Sequence, residues 1–232
     1  MLGLSKEILD HPAIWRGSQY AKVAFASIPT GHSVLDEQLP GGGWPRAALT
    51  EILAERQGIG EFALLMPALA QLSKSREWIA LVNPPYIPYA PALANAGVEL
   101  ARVIVLHPGN DQESLWAAER CLHSKACSAV MFWAPTHIEH TSCRRLQWAA
   151  EAGQTWGVMC REAYWARHTS PAALRLLLEK TPDQLKIHLL KRRGGSGVRE
   201  IFLDEAPVPF ITPSQTRAVP TWQPPRLRHR AA

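Results

Sequence analysis

From residue 47 to residue 160 the chain alternates between short apolar runs and helix-length stretches. The runs at 47–53, 78–82, 102–106 (RVIVL), 128–133 (SAVMFW) and 156–160 read as strands. Between them, 59–73, 87–96, 111–123 and 140–152 read as helices. Leu115, Ala118 and Leu122 fall on one face of the third of these helices. Gly97 and Gly153 stand where a left-handed residue closes a helix, and Pro67 predicts a kink. Strand–helix alternation of this kind predicts an α/β fold with a mostly parallel sheet flanked by helices. After Ala172 the pattern changes. Residues 174–178, 185–190 and 198–203 read as antiparallel strands joined by a hairpin at 191–197, so a C-terminal antiparallel hairpin extension is expected.

At 232 residues the chain is long enough for one sizeable core with tails. Residues 1–27 read as a helix, with Ser5 as its N-cap, and a linker; 28–205 read as the core; 206–232 read as a Pro/Arg-rich disordered tail. No apolar run approaches the roughly 20 residues of a membrane span, and no signal peptide is evident, so a cytoplasmic protein with no membrane partner is expected. The four cysteines form no C-x-x-C pair, which fits reduced thiols. Of the net charge of +5, the tail supplies +4 through Arg217, Arg226, Arg228 and Arg230 without any acid. The core is therefore not a strongly basic surface.

The first strand leads through 54–61 (AERQGIGE) into a helix, the context of a phosphate loop of the form G-x-x-x-x-G-K-[ST]. Anchored on Glu51-Ile52-Leu53, that frame places Ala54 at the first glycine. Glu55, Arg56, Gln57 and Gly58 follow, Ile59 stands at the second glycine, Gly60 at the lysine and Glu61 at the hydroxyl. The lysine that would neutralise β/γ-phosphates and the hydroxyl that would hold Mg²⁺ are both missing. A Glu61 carboxylate about 4 Å from a phosphate oxygen would cost on the order of 4 kcal/mol at an effective dielectric of about 20. That weakens binding roughly a thousandfold. A carboxylate can also ligate Mg²⁺, which leaves an unconventional ATPase as an alternative. The main expectation is a degenerate loop, no enzyme activity and no cofactor.

Pro29-Thr30-Gly31, Leu35-Asp36, Leu39-Pro40-Gly41-Gly42-Gly43-Trp44-Pro45 and Leu49-Thr50-Glu51 together resemble the ImuA family, RecA-fold proteins associated with translesion DNA synthesis. The resemblance runs from about residue 12 to about residue 204. It implies a RecA-like core and a non-catalytic, damage-induced (SOS) adaptor in the cytoplasm, nucleoid-associated after DNA damage. The implied partners are an ImuB-type Y-family polymerase homologue, RecA, an error-prone DnaE-type polymerase and DNA itself. A SulA-like inhibitor that binds the cell-division GTPase is similar in fold and is the alternative. In active RecA-type proteins a catalytic glutamate follows the second core strand and an aspartate ends the Walker B strand. Here Asn83-Pro84-Pro85 and Trp133-Ala134 stand at those places.

Other candidates concern partner or DNA binding. Trp165 and Arg167, in a loop after a core strand, combine an aromatic with a basic group as single-strand binders do. The bland alternative is a plug over the sheet edge. Lys191, Arg192 and Arg193 resemble the RecA hairpin that reaches toward a neighbouring subunit; the alternative is a solvated turn. In the tail, Trp222, Arg226, Arg228 and Arg230 could bind phosphates or fold onto a partner. Trp116, Trp133 and Trp148 read as core; Trp15, Trp44, Trp165 and Trp222 read as anchors at segment edges. His137, His140 and Cys143 are spaced by three but lack a local fourth ligand, so no metal is expected.

Overall fold

A computed structural model describes residues 26–192 and 199–204. An eight-stranded sheet forms its centre. The strands in it are β3 (Leu49–Ala54), β4 (Trp78–Val82), β5 (Val103–Leu106), β6 (Cys127–Trp133), β7 (Trp156–Glu162), β8 (Leu174–Lys180), β9 (Gln184–Lys191) and β10 (Arg199–Asp204). Their spatial order is β10-β9-β8-β3-β7-β6-β4-β5. β8, β3, β7, β6, β4 and β5 pair in parallel; β9 and β10 add an antiparallel edge. The expected mostly parallel sheet and the C-terminal hairpin are thus present. β8 pairs antiparallel with β9, as expected, and it also joins the parallel sheet through β3, which the sequence reading did not foresee. Nothing in the LRLLLEK stretch itself encodes which neighbour it will take.

β3 and β6 are buried at every position, because the sheet is covered on both faces. Helix α2 (Glu61–Ser73) packs on one face through Leu64, Leu65, Ala68 and Leu69. Helices α4 (Asp111–His123) and α5 (His140–Gly153) cover the other through Ala118, Leu122, Cys143, Leu146 and Ala150. Two short helices, α1 (Ser33–Asp36) and α3 (Ala90–Asn95), complete the α-helices among the described residues. α3 is shorter than the expected 87–96, since Pro84, Pro85 and Pro88 precede it and cannot donate backbone N–H. Pro67 lies inside α2 without ending it; it faces outward, where solvent can satisfy the carbonyl it leaves without a donor. The Gly-rich lead-in forms a small antiparallel pair, β1 (Ser27–Ile28) with β2 (Trp44–Pro45).

Gly97 takes φ +87 after α3, as a left-handed closing glycine should. Gly153 does not. It is the last residue of α5, the left-handed position is Gln154 (φ 57), and a Cβ on Gly153 would lie 1.8 Å from the Leu122 carbonyl oxygen. Its glycine permits close approach of α5 to the end of α4. The tryptophans also need correction. Trp44, expected at a segment edge, is fully buried and stacks on Trp156 at 5.5 Å. Trp116 and Trp148, expected in the core, are 59% and 63% exposed. Trp133 is buried as expected.

Candidate functional site

In a parallel sheet the loops after the strands gather at the carboxyl edge, where α/β proteins place their ligands. Here the loops after β3, β4, β6 and β7 meet there. The β3 loop does connect a core strand to a helix, as a phosphate loop must. Gly58 (φ +82) and Gly60 (φ +127) supply conformations that other residues resist, and Glu61 is the first residue of α2. The Glu61 side chain is buried and turns back into the loop. Its Oε1 accepts from the Gly58 N–H at 2.5 Å and its Oε2 from the Ile59 N–H at 2.9 Å. Backbone donors that would cradle a phosphate are therefore bonded to the chain's own carboxylate. The Glu61 carboxylate thus occupies the space in front of these two N–H groups. Glu55, Arg56 and Gln57 are exposed beside it, while Ala54 and Ile59 are buried.

Beside this loop lies an open groove of about 330 Å³. Phe62 and Met66 of α2 form one wall, Pro84, Tyr86 and Ile87 the other, and Trp133 ends β6 beneath them. Phe62 and Trp133 are ring neighbours at 6.4 Å. Asn83 (φ 55) starts the second wall, its side-chain N–H reaching the Trp133 carbonyl at 3.4 Å. Pro84, Pro85 and Trp133, at places where the RecA resemblance would put acids, contribute apolar surface to the groove.

On the other side of β3 a buried charge cluster supports the β7 loop. Glu51, fully buried, accepts from Arg161 Nη1 at 3.0 Å and from Arg175 Nε. Arg175 also donates to the Trp165 and His168 carbonyls, each at 2.8 Å. The Arg161 guanidinium lies 4.0 Å from the centre of the Trp165 ring, a cation–π contact. Trp165 donates its indole N–H to the Thr136 carbonyl at 3.1 Å. Trp165 is thus half-buried and fixed from below, with exposed Tyr164 and His168 packed against it at 5.5 and 5.0 Å. Arg167 is exposed at the same edge.

The structure does not bring the basic hairpin to this edge. β9 runs against β3, so Lys191 and Arg192 lie at the amino edge. There Lys191 Nζ donates to the Ser170 carbonyl at 2.8 Å and Arg192 donates to the Gln38 carbonyl. Arg193, Trp15 and the tail residues Trp222, Arg226, Arg228 and Arg230 lie outside the described residues, as does the expected helix within 1–25. Burial pushes the Cys160 thiol under the β3 loop well above its ordinary value, and the Glu61 charge adds to this; burial likewise raises Cys143. Among the described residues no group of three His, Cys, Asp or Glu could hold a metal, and no helix is long and apolar enough to cross a membrane.

Glu61's inward turn and the charge cluster are the features that sequence reading missed. Glu51, Arg161 and Arg175 are charged residues inside or at the end of largely apolar strands. A charge in such a strand must find a partner, and that was the available signal.

A family profile described as "Cell division inhibitor SulA" matches residues 48–157. The protein named "Cell division inhibitor SulA" from Pectobacterium carotovorum subsp. carotovorum (strain PC1) is 33% identical over 125 residues, 54% of this chain and 69% of that protein. The chain belongs to the SulA family. A second member, from Pectobacterium atrosepticum, is 33% identical over 98 residues, and the chain spans 58% of its length. Beyond the SulA family, "Protein RecA" from Picosynechococcus sp. is 27% identical over 119 residues, 51% of this chain and 34% of that protein. The crystal structure of SulA from Pseudomonas aeruginosa aligns at a TM-score of 0.42 and 24% identity, covering 51% of this chain and 99% of that one. The SulA match takes in β3, the loop after it and both walls of the groove. It stops before the β7 loop and β8–β10. The resemblance to ImuA is finer than these matches reach.

Proposed function

We propose that this SulA-family chain is a cytoplasmic protein of the SOS response that inhibits cell division by binding the division GTPase, with a RecA-like core that works without hydrolysing nucleotide. The observation that carries this reading is the 33% identity to a cell division inhibitor across 69% of that protein. The loop geometry supports the non-catalytic part. Glu61 takes the backbone donors of the β3 loop, and Gly60 stands where phosphoryl transfer needs a lysine. The experiment is controlled expression of the chain in its host, with cell length scored and the division GTPase tested for direct association with the purified protein. Filamentous growth and a complex are expected. Normal cell length without a complex would overturn the reading. Mg²⁺-dependent ATP turnover that is lost when Glu61 or Arg56 is changed would instead favour the unconventional ATPase.

A second reading is kept because of what lies outside the SulA match. The Gly-rich lead-in at 39–45 and the β8–β10 extension fall beyond residues 48–157, and RecA is among the relatives. Both features suit a RecA-fold adaptor of the ImuA kind, linking an ImuB-type polymerase homologue, RecA and a DnaE-type polymerase at damaged DNA. Tagged protein recovered from DNA-damaged cells separates the two. Co-recovery of a polymerase homologue, together with loss of damage-induced mutagenesis on deletion, would favour the adaptor.

A further inference from the structure

We infer that the apolar groove beside the β3 loop is a docking site for residues 206–211 (APVPFI) of the same chain. The groove selects a neutral, apolar occupant. Phe62, Met66, Pro84, Tyr86, Ile87 and Trp133 line it, and its one charged lining group, Glu61, is already bonded to the Gly58 and Ile59 N–H groups. Tyr86 and Ile87 stand 71% and 87% exposed, an apolar surface that burial would stabilise.

The exit point of the chain decides the occupant. β10 runs parallel to β3, so Asp204 ends at the carboxyl edge, the edge that carries the groove. Leu203 pairs with Leu185, whose methyls would lie 3.6 Å from a Cβ on Gly60, and Gly60 borders the groove. The tail therefore leaves about one strand spacing, ~4.8 Å, from a side chain that touches the groove's rim. From there six residues reach at most roughly 20 Å, enough to pass the Gly60 rim and enter the groove beside Phe62. Residues 206–211 contain Pro207, Val208, Pro209, Phe210 and Ile211 and no charge. Extended proline-bearing segments of this kind dock on aromatic-lined grooves. The arginines follow later, at 217 and beyond. The amino-terminal segment starts farther from the groove. Its described end, Ala26, bonds to Arg46 N–H just before β3, at the opposite edge of the sheet. The inference does not depend on which partner the protein binds.

The test uses the full chain with a photo-crosslinking benzoylphenylalanine in place of Phe210. Irradiation should join it, within one molecule, to residues 62–66 or 84–88. Because Ile87 is exposed, Ile87→Asp leaves the fold intact and should lower the yield roughly tenfold. In the unlabelled chain Phe210→Asp should speed hydrogen exchange at the Tyr86, Ile87 and Tyr89 N–H groups by about the same factor. Crosslinks between two molecules, crosslinks to another surface, or no crosslink would each overturn the inference. So would exchange at these three N–H groups that Phe210→Asp leaves unchanged.

Discussion

At the scale of single residues, two carboxylates do opposite jobs within one strand–loop–helix unit. Glu51 holds two arginines under the β7 loop; Glu61 satisfies two N–H groups of the β3 loop. Glu51→Ala would strand Arg161 and Arg175 in the interior, and a broken buried pair costs about 3–5 kcal/mol. Glu61→Ala exposes two loop donors to partial desolvation and should cost about 1–3 kcal/mol. Urea denaturation should rank the two in that order; a larger loss for Glu61→Ala would mean that the charge cluster is not the stronger tie. The tryptophans make a second test. Trp44→Ala empties a site closed by Trp156 and should cost about 3–5 kcal/mol. Trp116→Ser and Trp148→Ser should each stay within about 0.5 kcal/mol, since both side chains face outward. These exposures could have been read from the sequence. Trp116 stands one position, about 100° of helix, past Leu115, off the face that Ala118 and Leu122 define. Its apolar character is a weaker guide than its place in the period. Glu61's turn could not be read, because it depends on the positive φ at Gly58 and Gly60 that brings the loop donors within reach.

At the scale of elements, strands were legible where both faces are buried, since continuous apolar runs such as SAVMFW have no other stable setting. Strand partners were not, because β8 takes β3 through contacts that lie more than a hundred residues apart in the chain. Helix packing depends on one glycine. Gly153→Ala would press a methyl onto the Leu122 carbonyl and force α5 away from α4; an overpacked contact of this kind costs on the order of 3 kcal/mol. Thermal unfolding should show the loss, and an unchanged midpoint would mean that the two helices slide freely. On the β8–β9 surface, a hydrogen bond from His188 and the nearby Lys186 hold the Glu179 carboxyl below its ordinary value. A depressed carboxyl adds stability above its unfolded value of about 4.3, and this is lost as pH falls through the lower folded value. Denaturation midpoints taken from pH 6 down to pH 3 should therefore fall less steeply in His188→Ala than in the unaltered chain.

At the scale of the whole molecule, the stretch recognisable as SulA and the stretch that folds are different lengths. Residues 48–157 contain β3 but only the first two residues of β7, and none of β8. Cut out alone, β3 would lose both neighbours in the sheet, and Glu51 would lose Arg161 and Arg175 together. Trp156 would lose the buried face of Trp44, and the α2 core would lose Leu176, Ile187, Leu189, Ile201 and Leu203. A central strand without partners exposes a long apolar edge, which pairs with other chains. A 48–157 fragment should therefore aggregate on size-exclusion chromatography and show no cooperative melting. Residues 26–204 keep every strand of the sheet and both cores, so this longer piece should unfold in a single transition. If the short fragment folded as a stable monomer, β8–β10 would be an ornament on an independent SulA-like unit. Cooperative folding of the longer piece alone would make the antiparallel edge part of the core that positions Glu51, the β7 loop and the groove.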